Sequence, residues 1–258
     1  MPAIGLAPGA HLVLDNCVLS MLAEYYCDRR VSRLPPEKRI PILKQCIAEP
    51  LNILRQFTPD GLLHCTSCVA DEFKPAPVLN ELPGRVQHQA YQGLKSYVCS
   101  LLHQTAVDPQ AVKALRSLPA APRKLVGPGG LSDNDLSLVV LGSQLAGRGN
   151  PVYVLSNDQA LLDFISWVRT QPSARSRWRN ITLLQGLRSL MYLELIHRSC
   201  QIQTDYMEDL INFFMLDHYK RKDFGGDKGV FIFQQLVEIR TSLTESVRIK
   251  LTTAGTVQ

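Results

Sequence analysis

Short apolar segments with strand character alternate along this 258-residue chain with longer segments of helical periodicity. The strand-like segments are residues 12–14, 62–65, 105–107, 152–155 and 181–184. Short apolar strands separated by helix-length connections are typical of βαβ units, in which helices cover both faces of a parallel sheet. The sequence therefore predicts an α/β fold of three layers, with a central parallel sheet of about five strands.

The connections between these segments carry helix signals. Residues 41–57 place apolar side chains at helical spacing, and residues 132–146 begin with Ser132, a residue type that caps helix N-termini. Further helices are expected over residues 18–27, 66–73, 86–102 and 159–168. Residues 118–130 are rich in proline and glycine, and we expect a loop there.

The alternation of strands and helices stops near Leu187. We therefore divide the chain into an α/β domain, residues 1–185, and a mainly helical C-terminal extension, residues 186–258. One expected helix of the extension carries an apolar stripe formed by Met207, Leu210, Ile211 and Phe214. Packing against the α/β domain is the default use of such a stripe, and a homo-oligomer or protein partner is the alternative.

Composition narrows the class of protein further. Apolar residues make up 45% of the chain and charged residues 20%, a balance that supports a buried core. No apolar run approaches the roughly 18 residues of a membrane span, and the N-terminal residues lack the basic region of a secretory leader. Seven scattered cysteines suit a reducing compartment, so we expect a cytoplasmic protein. The net charge of +5 permits an anionic partner such as nucleic acid without requiring one.

Acidic residues fall where the predicted topology would bring them together. Asp15 follows the first strand and Asp158 the fourth, Asp133 and Asp135 begin the helix that leads to the fourth strand, and Glu72 lies on the helix after the second. In open α/β sheets, the carboxyl ends of the strands form the functional crevice. Clustered carboxylates repel one another unless cations neutralise them, and Mg²⁺ and Mn²⁺ prefer oxygen ligands. The pattern predicts a metal site suited to phosphodiester hydrolysis.

Each of these acids also has an ordinary structural explanation. Asp133 and Asp135 suit the positive end of a helix dipole, Asp158 could cap the helix after it, and Asp15 could simply end a strand. A shared metal site is favoured because all of them, with Glu72, point to one edge of the sheet. Three histidines could approach that edge, although we expect core or solvated positions for them: His11, His64 and His88.

Four short motifs carry the acids in a fixed order. They are residues 12–16 (LVLDN), 67–73 (SCVADEF), 131–141 (LSDNDLSLVVL) and 152–158 (VYVLSND). The order Asp, Glu, Asp, Asp, placed on a strand end, a helix, a helix start and a strand end, resembles the PIN-domain ribonuclease family. The resemblance covers roughly residues 10–185.

The resemblance implies a PIN-like fold and a divalent-metal-dependent endoribonuclease that hydrolyses single-stranded or structured RNA with Mg²⁺ or Mn²⁺. Carried over by position, four carboxylates would bind the metal: Asp15, Glu72, Asp135 and Asp158. Asp133 would be a fifth catalytic carboxylate, or the preferred third ligand in place of Asp135. Three polar neighbours would orient the ligands by hydrogen bonds: Asn16, Ser156 and Asn157.

The first motif departs from the family pattern just after its aspartate. The family usually has Thr or Ser there, followed by Asn or Ser, whereas this chain has Asn16 and Cys17. An asparagine can replace a hydroxyl as a hydrogen-bonding group, but a thiol is a weaker replacement. Basic residues close to the acids in the chain would steer the RNA backbone to the site: Lys74, Arg123 and Lys124.

Two other readings of the same acids stay open. The first is a catalytically weak or inactive PIN-like module for RNA binding or assembly, which the Asn16-Cys17 departure favours. The second is a phosphatase similar to the haloacid dehalogenases. That class has a second aspartate two residues after the first, where this chain has Cys17, so we rank it last.

Overall fold

Five short strands of the described chain form a single parallel sheet. In the computed structural model, which describes residues 7, 9–20, 34–55, 58–73, 84–119 and 121–188, these strands are β1 (His11–Leu14), β2 (Leu63–Thr66), β3 (His103–Thr105), β4 (Val152–Ser156) and β5 (Leu184–Arg188). Their order across the sheet is β3-β2-β1-β4-β5, and every pairing is parallel. The predicted α/β class and the parallel sheet of five strands are confirmed.

Helices flank this sheet in the connections between the strands. They are α1 (Pro36–Arg55), α2 (Ser67–Glu72), α3 (Gly84–Ser100), α4 (Pro109–Arg116), α5 (Arg123–Val126), α6 (Asp133–Ala146), α7 (Gln159–Val168) and α8 (Pro172–Arg177). Residues 16–20 are also helical. The helices expected over residues 132–146 and 159–168 form with almost the expected bounds.

Two strands lie a few residues away from their predicted positions. The third is His103–Thr105 rather than 105–107, because the Asp108 side chain accepts a hydrogen bond from Gln110 N at 2.9 Å and caps α4. The fifth begins only at Leu184, because Ile181–Leu183 forms a 3₁₀ turn. In both cases residues that periodicity alone assigns to a strand belong instead to a local capping or turn motif.

The expected loop of residues 118–130 contains the short helix α5. Its buried Leu125 accepts a hydrogen bond from Leu131 N at 2.7 Å through its carbonyl oxygen, which ties α5 to the residues just before α6. Arg116 reinforces this connection by donating to the carbonyl oxygens of Val126 and Leu131, at 2.8 and 2.9 Å. The segment is therefore an ordered approach to the start of α6.

Helix α6 is the most deeply buried helix among the described residues. Apolar side chains surround it because it lies against β1, β2 and β4 on one side and against α4 on the other. A side-chain carbon at Gly142 would come within 2.5 Å of Leu184 Cδ1, so this glycine allows the helix to approach β5 closely. Since α6 leads into β4 and runs against its direction, its N-terminus lies at the carboxyl edge of the sheet.

All described residues belong to one unit, which spans Ala7–Ser189. Residues from 189 onward, including the predicted helices and apolar stripe of the extension, lie outside the described residues. The division of the chain at residue 185 therefore stays a prediction. No helix within the described ranges is both long and apolar enough to cross a membrane.

Candidate metal centre at the carboxyl edge of the sheet

The candidate site lies where the strand order reverses. Strand β1 has β2 on one side and β4 on the other, and chain connections leave these strands in opposite directions across the sheet. Asp15 directly follows β1, and its backbone N–H donates to Leu155 O at 3.0 Å, which extends the pairing with β4 by one residue. Asp158 stands two residues beyond β4. A reversal of this kind opens a crevice outside the carboxyl ends of the strands.

The Asp15 carboxyl group is buried and held by two side chains. Asp15 is 7% exposed. Its Oδ2 accepts hydrogen bonds from Ser156 Oγ at 2.5 Å and from Cys17 Sγ at 3.0 Å. Burial raises the pKa of Asp15 and the negative charge of Asp135 adds to this, although the bonds from Ser156 and Cys17 oppose it. Asp135 is therefore close enough for its charge to act on the Asp15 carboxyl group.

Cys17 occupies the position at which the first motif departs from the family pattern. Its Sγ donates to Asp15 Oδ2 and accepts from Asn157 N at 3.1 Å, so the thiol links the ends of β1 and β4. Burial raises the pKa of the Cys17 thiol well above its usual range, and the neighbouring Asp15 charge adds to the rise. The thiol therefore stays protonated and remains a donor to Asp15.

We expect Cys17→Ser to retain the function of the site, because a hydroxyl can make the same two hydrogen bonds. Cys17→Ala should lower metal affinity by about 10-fold or more, the usual effect of losing a group that orients a ligand. Isothermal titration with Mn²⁺ measures both. Equal affinities for the alanine variant and the wild type would show that the thiol does not support Asp15.

Glu72 is positioned by two asparagines. Asn134 Nδ2 donates to Glu72 Oε1, and Asn16 Nδ2 donates to the Glu72 backbone oxygen at 3.5 Å. Asn134 is in turn anchored through its carbonyl oxygen, which accepts from Ser137 Oγ at 2.6 Å. Sequence reasoning missed Asn134. The available signal was its position between two acids in the first turn of a helix that leads to the candidate edge.

Asp135 and Asp158 each cap a helix with one oxygen. Asp135 Oδ2 accepts from the backbone N and the Oγ of Ser132, at 2.7 and 2.8 Å, while Ser132 Oγ accepts from Asp135 N in a capping box. Asp158 Oδ1 accepts from Ala160 N at 2.8 Å. Both acids therefore cap helices, as their ordinary structural explanation requires, but each cap uses only one oxygen of the carboxylate. The second oxygen takes part in no hydrogen bond within the described chain.

Asp133 forms an ion pair with Arg116. Its Oδ1 accepts from Nη2 of Arg116 at 2.8 Å and from Nε at 3.2 Å. The same guanidinium holds the residues that precede α6, so this ion pair fastens the start of α6 to α4. Asp135 is the one of the two whose charge acts on Asp15, and the choice between Asp133 and Asp135 as the third ligand stays a prediction.

The acids at the carboxyl edge differ from a compact metal site in their spacing. No three of the acids bring ligand atoms within 4.8 Å of one another; within the described ranges only His11, Asp60 and His64 do so. Mg²⁺ keeps several waters and is usually bound through one or two carboxylates, so an ion here would contact at most two of these acids directly and the others through water. The donors are all oxygen atoms, which is the ligand type that Mg²⁺ and Mn²⁺ prefer. The donor atoms of Asp15, Glu72, Asp135 and Asp158, although not their spacing, therefore match these ions.

The remaining predicted residues divide into three groups. Arg123 and Lys124 are exposed on α5, close in the chain to the start of α6, where they can meet a phosphate backbone. Lys74 lies outside the described residues. His11 and His64 are buried near the amino ends of β1 and β2, at the edge opposite the acids.

Comparison with known proteins found no relative: no protein-family model, no curated protein and no solved structure matches this chain. The resemblance to PIN-domain ribonucleases therefore stays a prediction.

Proposed function

We propose that this chain is a divalent-metal-dependent endoribonuclease with its catalytic centre at the carboxyl edge of β1 and β4. Asp15, Glu72, Asp135 and Asp158 would hold Mg²⁺ or Mn²⁺. One observation carries the proposal: each carboxylate is fixed through one oxygen by donors of the chain itself, while its other oxygen is left available. For Asp15 that second oxygen has only a 3.5 Å contact with Cys17 N. Such half-satisfied carboxylates are preorganised ligands.

The chain contributes positioning and charge to the proposed reaction. Ser156 joins two ligands, since its Oγ donates to Asp15 and accepts from Asp158 N at 2.9 Å. Asn134 fixes Glu72, so this carboxylate is oriented before a cation binds. A bound Mg²⁺ or Mn²⁺ would supply the positive charge that binds the scissile phosphate and activates water for in-line attack. It would also relieve the repulsion between Asp15 and Asp135.

RNA is the proposed substrate because the resemblance to PIN-domain ribonucleases implies it, and basic side chains near the acids could contact its phosphates. Arg123 and Lys124 are exposed on α5 and can contact phosphates, and Lys74 follows Glu72 closely in the sequence. A reducing compartment, the cytoplasm, is the proposed location. The described cysteines fit it because each is a free thiol: Cys17, Cys65, Cys68 and Cys99.

Metal removal provides the primary test. We expect the purified chain to cut a labelled single-stranded RNA or a hairpin RNA internally with Mg²⁺ or Mn²⁺, to stop when EDTA is added and to resume when excess metal is restored. Cleavage of a DNA of the same sequence, compared with cleavage of the RNA, measures the selectivity for ribose over deoxyribose. Binding of RNA without any cleavage in either metal would replace this proposal by the alternative of an RNA-binding or assembly module.

A further inference from the structure

A second group of potential ligands lies at the opposite edge of the sheet. His11 is the first residue of β1, His64 the second residue of β2, and Asp60 lies in the turn that leads into β2. Because the strands are parallel, their amino ends share one edge, far from the acidic centre. One ligand atom from each of the three residues lies within 4.8 Å of the other two.

The spacing of this group matches metal ligation better than hydrogen bonding. Asp60 Oδ2 stands 3.4 Å from His11 Nδ1 and 3.6 Å from His64 Nε2. Hydrogen bonds of this type measure about 2.7–3.2 Å. Around a tetrahedral ion with bonds of about 2.0–2.1 Å, two ligand atoms stand about 3.3–3.4 Å apart. The observed separations are close to that value.

The two imidazoles are buried with unsatisfied nitrogens. His11 is 4% and His64 is 3% exposed. Among the described residues, neither His11 Nδ1 nor either ring nitrogen of His64 has a hydrogen-bond partner. Buried polar atoms without partners are rare because each loses its hydration without compensation. A cation facing Asp60 would satisfy one nitrogen of each ring.

Neighbouring groups prepare the three side chains for this role. Asp60 Oδ1 accepts from Leu62 N at 3.0 Å, which turns Oδ2 towards the imidazoles. His11 Nε2 lies 3.4 Å from Asn150 Nδ2. With a metal bound to Nδ1, Nε2 would carry the proton, and a 180° flip of the Asn150 amide would let its oxygen accept that hydrogen bond. Burial lowers the pKa of His64 to about 4, so this ring is neutral near neutral pH and its lone pair is available.

We propose that His11 Nδ1, His64 Nε2 and Asp60 Oδ2 form a second metal site, which binds a zinc-class divalent ion. Two imidazoles and one carboxylate are the donor set of zinc sites that keep a fourth position for water. The Asp60 side chain is 32% exposed, so solvent can reach that position. Bound there, the ion would tie the turn before β2 to β1. This site is independent of the proposed nuclease centre, whose ligands are all oxygen atoms.

Zinc titration of the metal-free full chain against a chromophoric chelator tests the proposal, with excess Mg²⁺ present to occupy the acidic centre. We expect one tight Zn²⁺ per chain in the wild type and an affinity at least about 10-fold lower in Asp60→Asn. Asp163→Asn is the matched control, since Asp163 is an exposed aspartate on α7, and it should bind as the wild type does. His64→Gln should also weaken binding; if it fails to fold, Asp60→Asn alone decides.

Cobalt substitution identifies the donor atoms. We expect the visible absorption of tetrahedral Co²⁺ without thiolate charge-transfer bands, and this spectrum should persist in Asp15→Asn. Zinc affinity unchanged in Asp60→Asn, thiolate bands in the cobalt spectrum, or no zinc binding by the wild type would each overturn the proposal. Because Asp15→Asn removes a ligand of the other centre only, failure of the nuclease proposal and failure of the zinc proposal are separate results.

Discussion

Asp15→Asn is expected to remove metal-dependent RNA cleavage almost completely. The substitution keeps the shape of the side chain and an oxygen that can accept the hydrogen bond from Ser156, but it removes the charge that attracts the metal. Loss of a preorganised electrostatic group of this kind lowers kcat by about 10²–10³-fold or more. Single-turnover cleavage of a labelled RNA measures the effect, with Asp163→Asn as the control for loss of an exposed carboxylate.

The same variant should be no less stable than the wild type when metal is absent. The pKa of the folded Asp15 is raised above its ordinary value of 3.8, so the free energy of unfolding falls as pH rises from that ordinary value through the folded pKa. At neutral pH the charge therefore opposes folding, and the neutral asparagine removes that penalty. Thermal unfolding in EDTA measures it. Cleavage that survives in a well-folded Asp15→Asn protein would exclude this residue as a metal ligand.

Asp135→Asn and Ser132→Ala should have opposite effects on activity and stability. Both residues belong to the capping box of α6, but only Asp135 has a second oxygen available for a metal. Asp135→Asn should lower cleavage by about 10²-fold or more with a small change in stability, since an amide oxygen can still accept from Ser132. Ser132→Ala should lower stability by about 1 kcal/mol, as losing a helix cap does, while cleavage is retained.

Comparison of Asp135→Asn with Ser132→Ala distinguishes the two explanations of Asp135, as a metal ligand or as a capping residue. Cleavage assays and urea unfolding on both variants provide four values. The nuclease proposal requires that Asp135→Asn, and not Ser132→Ala, cause the large loss of activity. If both variants lose stability equally and retain cleavage, Asp135 is only a capping residue. If Ser132→Ala also abolishes cleavage, the cap is what positions Asp135, and Ser132→Thr should restore activity.

The fold could be predicted from sequence because its signals are local. Apolar strand segments, the cap at Ser132 and the alternation of strand and helix each lie within a few residues, and the parallel sheet follows from them. The misplaced strand bounds at β3 and β5 arise where a cap at Asp108 or a 3₁₀ turn after Asn180 competes with strand periodicity. Such competition depends on backbone conformation that periodicity does not encode.

The candidate sites were predictable to different degrees. Asp15 and Asp158 follow strands, so topology alone brings them to one edge. Three other features depend on contacts between distant parts of the chain. They are the role of Asn134, the ion pair between Arg116 and Asp133, and the grouping of His11 with His64 and Asp60. A faint signal for the last was present, because β1, β2 and β3 each carry a histidine at or near their first residue.

Strand β1 connects the two edges of the sheet at which the candidate metal sites lie. It is four residues long, fully buried and hydrogen-bonded to neighbours on both sides, so it cannot slip without breaking two ladders. His11 begins it and Asp15 directly follows it, at a separation of about 13 Å for an extended segment. A cation at either end therefore stabilises the same cooperative unit. Each would raise the unfolding temperature by an amount that grows with the logarithm of one plus the ratio of its free concentration to its Kd. Melting curves recorded across a grid of magnesium and zinc concentrations would thus report the occupancy of both ends through one strand.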